Sequence, residues 1–192
     1  MPNADTPRGL RPVSKLSGAP YSGSVRVFST ASGDGTAIYI GDPVKLSGTS
    51  STVNGSVYTD VDQAATGDVM VGVVVGVIPE TRDSTVYRAA STTRLLEVCV
   101  DPDMLFEIQE VSGGTALTAA AIGLNADFVV GSGSTVTGYS GVELNNATEA
   151  TTNTLDVQIV GLVDRSDNEA GEHAKWLVRI NRHQFANQVA GI

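Results

Sequence analysis

The stretch 69-VMVGVVVGVI-78 decides how this chain is read. Every residue in it is apolar or glycine, and most are valine, whose branched Cβ suits a strand better than a helix. The run is too short and too broken by glycine to cross a membrane as a helix. A strand with no polar face is buried on both faces or crosses a barrel, and Gly72 and Gly76 would allow the bends that closing a small barrel requires.

The same signal continues on both sides. In 24-SVRVFS-29, Val25 and Val27 alternate with Ser24, Arg26 and Phe28, and 36-TAIYIGDPVKLSG-48 supplies two short strands around a corner at Gly41, Asp42 and Pro43. Proline cannot donate to a ladder, so Pro43 marks a strand start, an edge or a corner. In 94-RLLEVCV-100, Leu96, Val98 and Val100 share one face and Leu95, Glu97 and Cys99 the other; the turn 101-DPD-103 then leads into 104-MLFEIQEV-111. Further on, 154-TLDVQIVGLVDRS-166 alternates cleanly. The segment 173-HAKWLVRINR-182 turns Ala174, Trp176, Val178 and Ile180 inward and His173, Lys175, Arg179 and Asn181 outward. The one helical candidate, 115-TALTAAAIG-123, is too short to stand alone and ends at Gly123.

Strands recurring about every 10 residues between Gly, Ser and Asn turns predict an all-β protein: an antiparallel β-barrel or sandwich with one or two short helices at most. Its body is expected over residues 23–181, with possible lobes at 23–110 and 111–181, followed by a tail at 182–192 read as a frayed helix or a second arm. Residues 1–22 carry Pro2, Pro7, Pro12 and Pro20 among several glycines, which forbids regular helix and predicts an extended N-terminal arm, disordered or ordered against a partner.

Charge divides the chain. The formal net charge is −9, so a general electrostatic grip on nucleic acid is not expected. The arm runs the other way: Arg8, Arg11 and Lys15 stand against Asp5 alone, while ten acids and three arginines fall between residues 60 and 110. The N-terminus has no apolar stretch of the kind that directs secretion, and no membrane partner is expected. Cys99, the single cysteine, sits in an apolar strand as a packed side chain and forms no intrachain disulfide.

Sites of chemistry are scarce. His173 and His183 lack the close partners a zinc site on one element would use, and both are expected to face solvent. Asp101 and Asp103 lack the string of oxygen ligands of a calcium loop, and Asp60, Asp62 and Asp68 read as a solvated acidic loop. No nucleophile elbow or phosphate loop is present; 32-SGDGTA-37 and 131-GSGSTVTG-138 read as turns. Paired carboxylates for sugar hydrolysis are a remote reading, since one tryptophan on an inward strand face is poor material for a sugar platform. No catalytic residue, metal or cofactor is therefore assigned, and the chain is not expected to be an enzyme.

Taken in order, the arm 7-PRGLRPVSKLSGAPYSGSVRVF-28, the corner 35-GTAIYIGDPVKLSG-48, the run 71-VGVVVGVI-78 and the closing 176-WLVRINRHQ-184 resemble the small decoration, or cement, proteins of tailed-bacteriophage heads. The resemblance implies a β-barrel-rich virion protein, often a homotrimer, made in the host cytoplasm and bound outside an icosahedral shell. There it would bridge subunits of the major capsid protein and stabilise the expanded capsid. It gives Arg8, Arg11 and Lys15 a use against an acidic shell surface. The alternative is a surface-displayed module that binds glycans or host surface, a duty a second lobe could carry. In either case the corner at residues 39–48 reads as part of a rigid barrel rather than the lip of an active site.

Overall fold

The structure, a computed structural model, describes residues 3–187 and residue 191. It is all-β, built as a closed five-stranded barrel packed against a five-stranded antiparallel sheet. The barrel strands are β2 (Arg26–Ser29), β3 (Pro43–Val53), β4 (Ser56–Gln63), β5 (Gly72–Val77) and β6 (Leu95–Cys99), in the order β2-β4-β3-β5-β6. Its longest hairpin, β3–β4, turns at Asn54-Gly55, both at positive φ, as a two-residue turn matched to the strand twist requires. Closure comes from β2, antiparallel to β6 and parallel to β4 at Ser29 and Asp60.

The second sheet is drawn from distant parts of the chain: β1 (Arg11–Lys15), β7 (Met104–Gln109), β8 (Asn125–Ala126), β11 (Val157–Leu162) and β12 (Lys175–Ile180), in the order β1-β7-β12-β11-β8. A small ribbon of β9 (Phe128–Val129) and β10 (Glu143–Leu144) lies beside it.

The doubly apolar run is explained by this arrangement. Val71 and Val74 fill the barrel with Phe28, Ile38, Val44, Val61, Leu96 and Val98. Met70, Val73 and Cys99 face the other way, into a larger core with Phe106, Ile108, Phe128, Val157, Ile159, Trp176 and Val178. The valine-rich strand is thus a shared wall. The expected bend falls between Val74 and Gly76, where the pairing with β6 slips by one residue. Ala174, Trp176, Val178 and Ile180 are buried as the alternation predicts. The helical candidate forms only one 3-10 turn at Ala119–Ala121, capped by the Thr118 hydroxyl, with Leu117 and Ala121 in the core.

Residues 3–22 are extended apart from a tight turn at residues 16–18 that brings Pro20 back beside Ser14, and the chain they order against is their own. Asn3 Nδ2 donates to the carbonyls of Glu169 and Glu172, the Thr6 amide donates to Gln109 Oε1, and β1 pairs with β7 as the edge of the second sheet. Where the arm crosses the barrel, the Leu10 amide donates to the Gly41 carbonyl at 2.9 Å and Leu10 is buried. Gly41 is at φ +99, and a Cβ there would stand 2.1 Å from the Arg8 carbonyl oxygen. The corner at Gly41, Asp42 and Pro43 is therefore the seat of the arm as well as the start of β3. The division of the body falls near residue 100, with the arm belonging to the second half. Residues 182–184 run beside Met70, exchanging backbone hydrogen bonds with it, and show no helix. Of the arm and tail, residues 1, 2, 188–190 and 192 lie outside the described residues.

Two burials, of His183 and Asp60, correct the sequence reading, and a third, of Arg88, adds to it. His183 is buried, with Nδ1 accepting from the Phe185 amide at 3.0 Å, and burial lowers its pKa. Asp60 is no solvated loop acid: it is buried and accepts hydrogen bonds from Ser29, Thr49 and Ser51. Arg88 is fully buried in the barrel half, where its guanidinium binds Asp34, the carbonyls of Ala31, Thr36 and Thr92, and the Thr30 hydroxyl. Burying such groups is costly unless partners satisfy them, and the strand period does not reveal those partners.

Candidate functional site

The arm crosses the second sheet over a cleft of about 340 Å³. Arg8 and Arg11 approach from the arm, Lys175 from β12, Arg165 from the loop after β11, and Glu107 from β7. These positions follow from strand geometry. Lys175 stands directly opposite Gln109 in the ladder and Arg11 opposite Glu107, so neighbouring strands present their outward residues on one face.

Four cations meet two carboxylates here. Arg165 donates to both oxygens of Glu107, at 3.3 and 3.2 Å, and to Asp167 at 3.1 Å. Arg11 approaches Glu107 at 3.4 Å. Lys175 Nζ donates to the Thr6 hydroxyl at 3.1 Å, and Arg8 lies over the Tyr139 ring with its guanidinium carbon 5.1 Å from the centroid. The pKa of Lys175 is lowered chiefly by burial; the charges of Glu107 and Asp167 oppose the shift and those of Arg165 and Arg8 add to it. A half-buried cation is stabilised by an incoming anion. On the far side of the arm, a second hollow of about 320 Å³ shares Arg8 and Arg11 but is walled by Leu10, Tyr21, Ile40 and Val74.

Of the three arm residues singled out from the sequence, the structure brings Arg8 and Arg11 together at this cleft. Lys15 lies at the other end of β1, about 13 Å along the strand, and forms an ion pair with Asp101 at 2.7 Å. That pairing raises the lysine pKa and lowers that of Asp101, and the Asp103 amide also binds the aspartate. Arg165 and Lys175 complete the cleft and were not singled out. Alternation placed Lys175 on an outward face, but no local pattern joins it to residues more than 160 positions earlier.

Acids with raised pKa values lie elsewhere. Burial pushes Asp42 up to about 6, where Oδ2 accepts from the Tyr39 amide and Gln63 Nε2, both at 2.8 Å. Burial, aided by the charge of Asp127, pushes Asp156 up to about 7 beside the Gly67 amide. Both are fully or almost fully enclosed, and neither lines the two clefts. Glu110 is equally enclosed, accepting from Trp176 Nε1 at 2.9 Å and the Leu117 amide at 2.8 Å. These groups lie inside the fold, away from both clefts. Burial also raises the pKa of the Cys99 thiol, consistent with a packed side chain.

Fold and site together define an all-β protein with a cationic cleft at a strand crossing. Searches for similarity find no match for the chain among protein-family models, curated proteins or solved structures. Among the described residues, no helix is long and apolar enough to cross a membrane.

Proposed function

We propose that this chain is a structural protein of a virion, bound as a homotrimer to the outer surface of an icosahedral phage head, where it bridges neighbouring copies of the major capsid protein. The observation that carries this reading is the cationic cleft on a chain of net charge −9. Arg8 and Lys175 lack a carboxylate partner among the ion pairs of the described residues, and the arm that brings Arg8 is held in place before any partner arrives. The sequence resemblance to decoration proteins supplies the partner class. An acidic segment of the shell is the complementary occupant, and preorganisation reduces the ordering cost of binding it. A clamp that binds only the assembled, expanded shell stabilises that state by mass action, and modest affinity suffices when copies are many. In this reading the chain carries out no reaction.

The test uses purified heads. The chain should be present in hundreds of copies, and its addition should raise the temperature at which heads rupture. Arg8→Glu with Lys175→Glu should weaken head binding about tenfold or more while leaving the melting temperature of the free protein nearly unchanged. Undiminished occupancy by the double variant would refute the role of the cleft, and failure of the wild-type protein to bind any head would refute the function. Selective binding on a glycan array instead would favour the surface-displayed module.

A further inference from the structure

Beside the cationic cleft the arm meets a second constellation of opposite character. Asp5, Glu143 and His173 each bring one donor atom to a common point, all within 4.8 Å of one another. They come from three distant segments: the arm, β10 and the turn before β12. We propose that Asp5, Glu143 and His173 form a binding site for a divalent transition cation, Zn²⁺ foremost, which fastens the start of the arm to the body.

Geometry, charge and room support this independently of any role on a capsid. His173 Nδ1 and Asp5 Oδ1 are 3.6 Å apart. Two ligands at about 2.1 Å from a tetrahedral zinc ion stand roughly 3.4 Å from each other, so the pair already matches one edge of the polyhedron. The space between the donors is held by Gln109 Nε2, which donates to Asp5 Oδ1 and Glu143 Oε1, both at 2.9 Å, and lies 3.5 Å from His173 Nδ1. A neutral amide thus stands between two carboxylates and an imidazole, where a cation would satisfy all three. Burial raises the Glu143 pKa, against the hydrogen bond from Gln109, and the charge of Asp5 adds to the rise.

Space exists for the exchange. Gln109 borders the 340 Å³ cleft, and a hollow of about 200 Å³ beside His173 is lined also by Asn3, Thr6, Asp167 and the cations Arg165 and Lys175; to admit the ion, the Gln109 side chain would swing into the cleft and release the Thr6 amide. A mixed set of one nitrogen and two carboxylate oxygens suits zinc or cobalt. Calcium and magnesium prefer all-oxygen sites, which makes the proposal selective.

The experiment titrates the metal-stripped full-length chain with Zn²⁺ by calorimetry and with Co²⁺ by visible absorption. One ion should bind per chain, and Co²⁺ should develop the intense bands of a low-coordinate site. Tryptic cleavage after Arg8 should slow several-fold when Zn²⁺ is present. Glu143→Gln and His173→Asn should each weaken Zn²⁺ binding at least about tenfold; asparagine is chosen because residue 173 has φ +59, which it tolerates. Urea midpoints report whether the variants fold, and Glu143→Gln carries the test if His173→Asn does not. The absence of saturable Zn²⁺ binding, equal binding by wild type and a folded variant, or Ca²⁺ binding as tight as Zn²⁺ would each overturn the assignment.

Discussion

Replacing Gly41 by alanine would test whether the arm is held where the structure places it. Gly41 sits at φ +99, and its new Cβ would stand 2.1 Å from the Arg8 carbonyl oxygen and 3.1 Å from the Arg8 carbonyl carbon, both backbone atoms that no rotamer change can move aside. The arm would have to retreat by about 1 Å to restore an ordinary contact. Positive φ alone costs a non-glycine residue about 1–2 kcal/mol. The retreat breaks the 2.9 Å bond from the Leu10 amide to the Gly41 carbonyl, worth about 1 kcal/mol. It also exposes part of the buried Leu10 side chain, costing about 1 kcal/mol more. The total is about 3–4 kcal/mol, of which the lost bond and the exposed Leu10, about 2 kcal/mol together, fall on opening of the arm. Trypsin cleavage after Arg8 should accelerate roughly 30-fold, since cleavage of a transiently open segment follows its population; Arg11 is followed by Pro12 and is not a trypsin site. Gly48→Ala is the control: Gly48 also has positive φ, +84, but no atom lies within 4 Å of its Cβ position. That variant should lose only the backbone term and keep the arm protected. Equal proteolysis of Gly41→Ala and wild type would refute the seating of the arm.

Other consequences can be checked in the same preparations. Trp176→Ala should destabilise the protein by about 3–5 kcal/mol, because Trp176 is fully buried and Glu110 loses a hydrogen-bond donor; a near-neutral urea midpoint would place Trp176 outside the core. Arg88→Ala should cost about 3–5 kcal/mol, because Asp34 and three backbone carbonyls lose their donor; chemical denaturation measures it. Asp156 titrates near about 7 and Asp42 near about 6 in the fold, against 3.8 ordinarily, so the folded state holds protons the unfolded chain has released. Stability should therefore fall by roughly 3–4 kcal/mol between about pH 5 and pH 8, and Asp156→Asn should flatten most of that slope. The lowered pKa of His183 acts oppositely, removing stability only as pH falls below its ordinary 6.5.

The strands were legible in the sequence, but their neighbours were not. Alternation located β11 and β12 because one face of each is packed and the other is wet, and it read the 69–78 run as buried on both sides. Nothing local could reveal that this run is the wall between two cores, or that Leu10 would be buried under the corner at Gly41. Composition spoke for an extended arm, disordered or ordered against a partner, because prolines and glycines forbid helix, and the same residues are compatible with an edge strand whose partner lies about 90 positions away in the chain itself. The cleft was half legible. Arg8 and Arg11 stood out as cations in an acidic chain, whereas Arg165 and Lys175 join them only through the strand order β1-β7-β12-β11. His183 and Asp60 were misjudged because polar type predicts exposure: Asp60 is held by the hydroxyls of Ser29, Thr49 and Ser51, and His183 is enclosed with its Nδ1 on the Phe185 amide two residues on.

The strand order also sets a schedule for synthesis. The barrel strands lie between Arg26 and Cys99 and can close once that span has left the ribosome. Strand β1 is made earlier still, but β7 begins roughly 90 residues after β1 ends, a wait of about 5–20 s at ordinary elongation rates. Even then β7 has only one neighbour until β12 emerges, because β12 lies between β7 and β11. A nascent chain halted before Lys175 would carry a finished barrel beside a half-built sheet, with the unpaired edge of β7 open to any passing strand.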